Sequence, residues 1–221
     1  MQLDPLQLAI VFLAGIAGGA INALAGGGTL LTFPVLTAVG IPAVSANVTN
    51  TVALVPGYVG GMVGQAADLR GQRRRLLVLI PAGVLGGLAG GLLLLATGER
   101  IFRELVPYLI LFASGLLAIQ EPLKKWIMAR RAQDAATAGI SEFWIVFPSF
   151  VIIALTTNVT AALLFVFSGE VVWLVAAVMA AGALGGGALG GRLAGRVKPA
   201  TLRRTVVAIG VIVAIIYFVR G

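Results

Sequence analysis

Apolar residues run through this chain in long blocks, separated by short clusters of glycine, proline or charge. The pattern predicts a first helix from near Leu8 up to Gly26, Gly27 and Gly28, where three residues without a β-carbon favour a break. The apolar run Thr29–Gly40 that follows is too short to cross a bilayer core of ~30 Å, which takes ~20 helical residues, and reads as a re-entrant or half-length helix. Ile41-Pro42 marks a turn, and spans follow over Val44–Ala66, interrupted at Pro56-Gly57, and over Leu76–Thr97. A charged link, Gly98–Glu104, leads to a span over Val106–Ile119. Glu121–Ser141 reads as a basic loop or surface helix, and spans over Phe143–Phe167, Val172–Leu193 and Thr205–Val219 complete the chain. Main-chain groups freed at membrane depth persist only where protein buries them or where they line a watery cavity, so the glycine break is the candidate substrate site.

Composition agrees with that pattern. Glycine supplies 30 of 221 residues, hydrophobic residues 59% and charged residues 11%, with a mean hydropathy of +1.05, which excludes an ordinary soluble domain. The expected fold class is all-α, a polytopic membrane helix bundle with inverted-topology repeats and a Gly-broken re-entrant or half helix in the first repeat. Cysteine and histidine are absent, which removes disulfides, thiolate chemistry and imidazole-ligated metals. Ala23-Leu24-Ala25 has the look of a cleavage site, yet Met1–Pro5 lacks the basic residues of a secretory signal. The net charge of +8 is read as a topology signal rather than as a nucleic-acid footprint. Counted over alternating spans, thirteen of the sixteen Lys and Arg fall on one side, from Arg70–Arg75, Lys124–Arg131 and Arg192–Arg204, while Arg100, Arg103 and Arg220 fall on the other. The first side is expected to be cytoplasmic and both termini extracytoplasmic.

Ala82–Gly91 matches Ala181–Gly190 at seven of ten positions, with an offset of 99 residues. The loop before the first copy is Arg-rich and the one before the second is Ser168-Gly169-Glu170, so equivalent loops fall on opposite sides, as in an inverted-topology repeat. The expected organisation is a first transmembrane repeat over 1–120, a cytoplasmic basic loop over 121–141 and a second, shortened repeat over 142–221. Such repeats place a site near the bilayer midplane and permit alternating access.

No Asp or Glu falls within a presumed span, and Arg192 is the deepest basic residue. The candidate substrate-binding residues are Asn22, Gly26, Gly27, Gly28, Thr29, Asn47, Asn50, Thr51, Tyr58 and Asn158. Asn47, Asn50, Thr51 and Tyr58 share one helical face, and helices beginning at Thr29 and near Ser45 would aim N–H donors and a positive dipole end at an anion. The bland alternatives are threonines bonding their own helix, asparagines bridging helices, and glycines serving only as a tight packing point.

The residues Ala17–Pro42, AGGAINALAGGGTLLTFPVLTAVGIP, and Thr49–Gly61, TNTVALVPGYVGG, resemble the TauE/SafE group of sulfite and organosulfonate exporters, the TSUP permeases. The resemblance implies transport of small, often sulfur-containing anions across the cytoplasmic membrane of a prokaryote. One departure stands out: the family repeats its Gly-rich element at the start of the second half, and no such copy precedes Phe143 here. The chain is either asymmetric or lacks a segment around Ala132–Ser141.

The resulting expectation is a secondary permease, not an enzyme, for a small inorganic or organic anion by alternating access. It needs no cofactor, no metal and no nucleic acid; the lipid bilayer and, as an option, a second copy in a homodimer are its partners. The alternatives are a non-transporting membrane assembly subunit and a permease for another small anion.

Overall fold

The computed structural model describes residues 3–24, 26–64, 73–134, 141–193 and 199–220. Among them the chain forms seven helices and no strand: α1 (Pro5–Leu24), α2 (Thr29–Ala38), α3 (Ala43–Gly64), α4 (Arg73–Asp134), α5 (Ser141–Val166), α6 (Trp173–Leu193) and α7 (Pro199–Arg220). Three stretches of the described residues are long and apolar enough to cross a membrane, Pro5–Leu24, Ile80–Ile119 and Trp173–Leu193. The second, at 40 residues, has twice the length one crossing needs, and Gly98 bends it with φ 73° and ψ 164°.

The elements follow the hydrophobic pattern with three differences. α3 continues unbroken through Pro56 and Gly57, because Gly57 lies against Ala183 of α6 and the neighbouring helix supports the turn that proline weakens. The expected link Gly98–Glu104 shrinks to the bend at Gly98, after which α4 resumes at once. Residues 121–134 are helical and continuous with the same element, while 135–140 lie outside the described residues, as do 65–72 and the question of a missing segment.

Glycine sets the packing. A β-carbon on Gly182 or Gly186 of α6 would fall on the main chain of Phe12 or Ile16 of α1, and one on Gly190 on that of Ala20. Contact partners advance together along both helices, so α1 and α6 run parallel. α3 joins them on the adjacent face, where a β-carbon on Gly57 or Gly60 would stand 3.0 Å from the Ala183 or Leu184 carbonyl oxygen. These approaches bring backbones together where larger side chains would hold helices apart, the usual means of association in lipid. The second glycine face works in the same way: Gly87 of α4 meets Thr157 and Thr160 of α5, and Gly91 meets Leu164 and Phe165. Ser114 and Gly210 join the second arm of α4 to α7, while Phe33 of α2 packs edge-on to Phe102 at 6.4 Å.

Candidate functional site

Sequence reasoning gathered its polar candidates into one site. In the structure they form two clusters, reached from adjacent sides of one polar face of α3. The first is the glycine loop. α1 closes with the Gly26 amide donating to the Ile21 carbonyl at 3.1 Å, and Gly26 and Gly27 take φ of 72° and 88°, which a side chain would strain. The Gly28 amide donates to Asn22 Oδ1 at 2.7 Å, so Asn22 shapes the loop, and its Nδ2 is buried without a hydrogen-bond partner. Asn50 is 1% exposed and reaches Thr29 Oγ1 through Nδ2 at 3.4 Å, while its Oδ1 finds no partner. Turning that amide lets the Thr29 hydroxyl donate to Oδ1 and leaves Nδ2 as the unspent donor. A buried amide with one spare polar atom is costly in apolar surroundings.

The loop is not at mid-depth. α1 uses all 20 of its residues, about 30 Å of helix, before the break. A β-carbon on Gly27 would touch Leu117, far along α4 from the bend, and Val206 near the start of α7. The broken element is therefore a full-length helix followed by a half-length one, with the loop towards the end of the bundle where the basic segments lie.

The second cluster lines a groove of about 360 Å³ between α3, α4 and α5. Asn47 and Thr51 form one wall, Thr157 and Asn158 another, and Gly86 and Gly90 leave the α4 main chain bare between them. The apolar remainder includes Leu94, Phe102 and Phe165, and no charged residue lines it. Thr51 bonds back to the Asn47 carbonyl at 2.9 Å and Asn158 Nδ2 to the Ala154 carbonyl at 2.9 Å, which is the local bonding expected of such side chains in membrane helices. Asn47 Oδ1 also accepts from Thr51 at 3.5 Å, so the amide donors of Asn47 and the second amide hydrogen of Asn158 remain for the groove. Tyr58, half-buried farther along α3, does not line it.

The start of α3 is not an open anion site. Glu99, the residue after the bend in α4, accepts from the Ala43 amide at 2.6 Å and the Val44 amide at 2.8 Å with its two carboxylate oxygens. Ser45 Oγ donates to Glu170 at 2.5 Å, and Thr49 Oγ1 accepts from the Val172 amide at 3.0 Å. The donors expected to meet a solute are thus taken by an internal carboxylate. Nothing local to Ala43 signals this cap, because it arrives from a residue distant in the chain. Among basic residues, Arg203 is buried, while Arg192, in the last turn of α6, is exposed. Among the described residues no group of carboxylates could hold a metal ion.

The family described as "Sulfite exporter TauE/SafE" matches in two overlapping stretches, residues 11–152 and 149–217. A "Probable membrane transporter protein" of Haemophilus influenzae is 32% identical over 115 residues, covering 52% of this chain but only 45% of that protein. The "Probable membrane transporter protein YfcA" of Escherichia coli K12 is 23% identical over 214 residues, covering 82% of this chain and 78% of its own length. As 82% of 221 residues is fewer than 214, that relative carries positions with no counterpart here. No solved structure matches. The family match runs through every helix described above, the relatives are named as membrane transporters, and the chain is a membrane protein belonging to the sulfite exporter TauE/SafE family.

Proposed function

We propose that this chain is a secondary permease of the cytoplasmic membrane for a small, sulfur-containing anion such as sulfite or an organosulfonate, working by alternating access with both termini outside. The observation that carries this reading is the opposition of Asn47 and Thr51 to Thr157 and Asn158 across one groove, with uncharged donors and no carboxylate in its lining. An anion gains from such donors in a water-poor setting, whereas a desolvated cation would require carboxylates or carbonyl rings. The glycine loop, with Asn22, Thr29 and Asn50, is the second station, on the adjacent side of α3 and nearer the basic end.

An inverted repeat is part of this reading, and the order of the glycine faces is what favours it. On α6, Gly182 and Gly186 meet α1 while Ala183 and Gly187 meet α3; on α4, Gly87 and Gly91 meet α5, and Gly86 and Gly90 meet no other described residue. The faces therefore correspond with Gly86 beside Gly182 and Gly90 beside Gly186, three residues out of step with the match read from sequence. In this pairing α3 answers to α5, and each pair runs in opposite directions, as inverted topology requires. The partner that α1 provides for α6 has no counterpart on α4 among the described residues, which accords with the extra positions in the relative.

Purified protein in liposomes loaded with labelled sulfite or ethanesulfonate tests the reading. Saturable flux that falls at least tenfold in Asn47→Leu and Asn158→Leu, both still folded, is the expected result. Absence of flux for every small anion would instead favour a non-transporting subunit.

A further inference from the structure

The groove between α3, α4 and α5 presents polar and apolar surface at different depths. Glu99, beside the bend of α4, holds the first amides of α3, and Glu170, just past the end of α5, accepts from Ser45. The bend, the start of α3 and the end of α5 therefore share one end of the bundle. Thr51 stands eight residues into α3 and Asn158 eight residues before the end of α5, each about 12 Å from that end. Leu94 and Phe102 lie four residues to either side of Gly98, and Phe165 is in the last turn of α5, so these three sit roughly 6 Å or more nearer the end. All three are buried and line the groove. Ala161, which lines it too, falls one turn from Asn158 and one from Phe165, between the polar pair and the apolar trio.

We infer that the groove takes a singly charged organic anion with a short alkyl tail, an alkanesulfonate of about four carbons, in preference to an inorganic oxyanion. The head rests between Thr51 and Asn158 and the tail lies along Leu94, Phe102 and Phe165. This narrows the substrate class of the permease reading and rests on it. Charge is the first argument. Among the described residues the lining offers hydroxyls and amides but no basic side chain, so no fixed positive charge offsets a buried anion. Stripping water from an ion grows costlier with its charge, and neutral donors suit one delocalised charge better than two. Size is the second. Pockets that enclose small organic ligands hold ~300–1,000 Å³ and are mostly apolar with a few placed polar groups. At about 360 Å³ the groove falls in that range, and an inorganic oxyanion would leave most of it as water against the buried trio. A tail displaces that water, and each methylene withdrawn from it strengthens binding about fourfold. Carbon–carbon bonds of ~1.5 Å let about four carbons cover the distance from the polar pair to the trio.

Two measurements test the tail. Liposome flux of sulfate, sulfite and the n-alkanesulfonates from methane- to hexanesulfonate is corrected for leak through protein-free liposomes. KM is expected to fall about fourfold per added methylene as far as butanesulfonate, and to stop falling beyond it. Equal KM along the series, or a lower KM for sulfite or sulfate than for butanesulfonate, overturns the inference. Ala161→Leu, folded, places a side chain between head and tail and is expected to cut the advantage of butanesulfonate over methanesulfonate at least tenfold; an unchanged advantage overturns the placement of the tail. Independently of transport and of that variant's folding, the thermal midpoint of the wild-type protein in detergent is expected to rise more with butanesulfonate than with methanesulfonate or sulfate at equal ionic strength, and Asn158→Leu to lose the difference. No difference in the wild type, or one that persists in Asn158→Leu, overturns the inference even where flux is found. A length-dependent rise that needs Asn158 but comes without any flux retains this ligand class for the groove and removes the permease reading.

Discussion

Gly186 of α6 lies so close beneath Ile16 of α1 that a β-carbon on the glycine would fall on the isoleucine main chain. Backbone cannot give way as the end of a long side chain does, so a single methyl group must push two helices apart. Gly186→Ala is expected to lower the melting temperature in detergent or to yield aggregated protein. Gly185→Ala, with nothing near its β-carbon, is expected to be neutral or slightly stabilising, by up to ~1 kcal/mol of helix propensity. Equal thermal stability of the two variants would refute this account of the α1–α6 contact.

Asn50 separates ligand binding from packing. It is 1% exposed with one polar atom unbonded, so Asn50→Leu, which is close in shape, removes an unsatisfied group at the cost of a long bond to Thr29. Stability is expected to hold or rise while anion flux falls at least tenfold. A marked loss of stability with flux retained would make Asn50 an interhelical strut instead.

Asn22 is expected to behave in the opposite sense. Its oxygen holds the Gly28 amide at 2.7 Å, and Asn22→Ala strands that part-buried donor, costing about 1–3 kcal/mol. In a chain of this size that corresponds to a fall of roughly 2–12 °C in melting temperature. An unchanged thermal midpoint would show that the loop holds its shape without the side chain.

Gly86 has no atom within 4 Å of its β-carbon position and lines the groove. Gly86→Leu is therefore expected to fold normally, since nothing must move to admit the side chain, and to abolish flux by filling the space between Asn47 and Asn158. Normal flux in a folded Gly86→Leu variant would show that the solute takes another route.

The helices were legible in the sequence wherever apolar length and glycine punctuation agree, as from Pro5 to Ala38 and from Trp173 to Leu193. Pro56-Gly57 misled because a proline reads as a break from local chemistry, whereas a neighbouring helix sustains α3 through it. Asn47, Thr51 and Asn158 were found as polar residues in apolar runs and do line one groove; Asn50 shares their periodicity but faces the glycine loop, a division of one helical face that spacing does not resolve. Glu99 was passed over as part of a charge-balanced link. Its role depends on where α3 begins in space, and no local pattern carries that.

The bare stretch of α4 at Gly86 and Gly90 has one last consequence. α6 is sheathed by α1 and α3, but the corresponding side of α4 meets no other described residue at these two glycines. In a bilayer, acyl chains reaching this side would complete the boundary, and their length and order would set how tightly the groove is sealed. For this chain, exchanging bilayer for detergent replaces part of the enclosure itself.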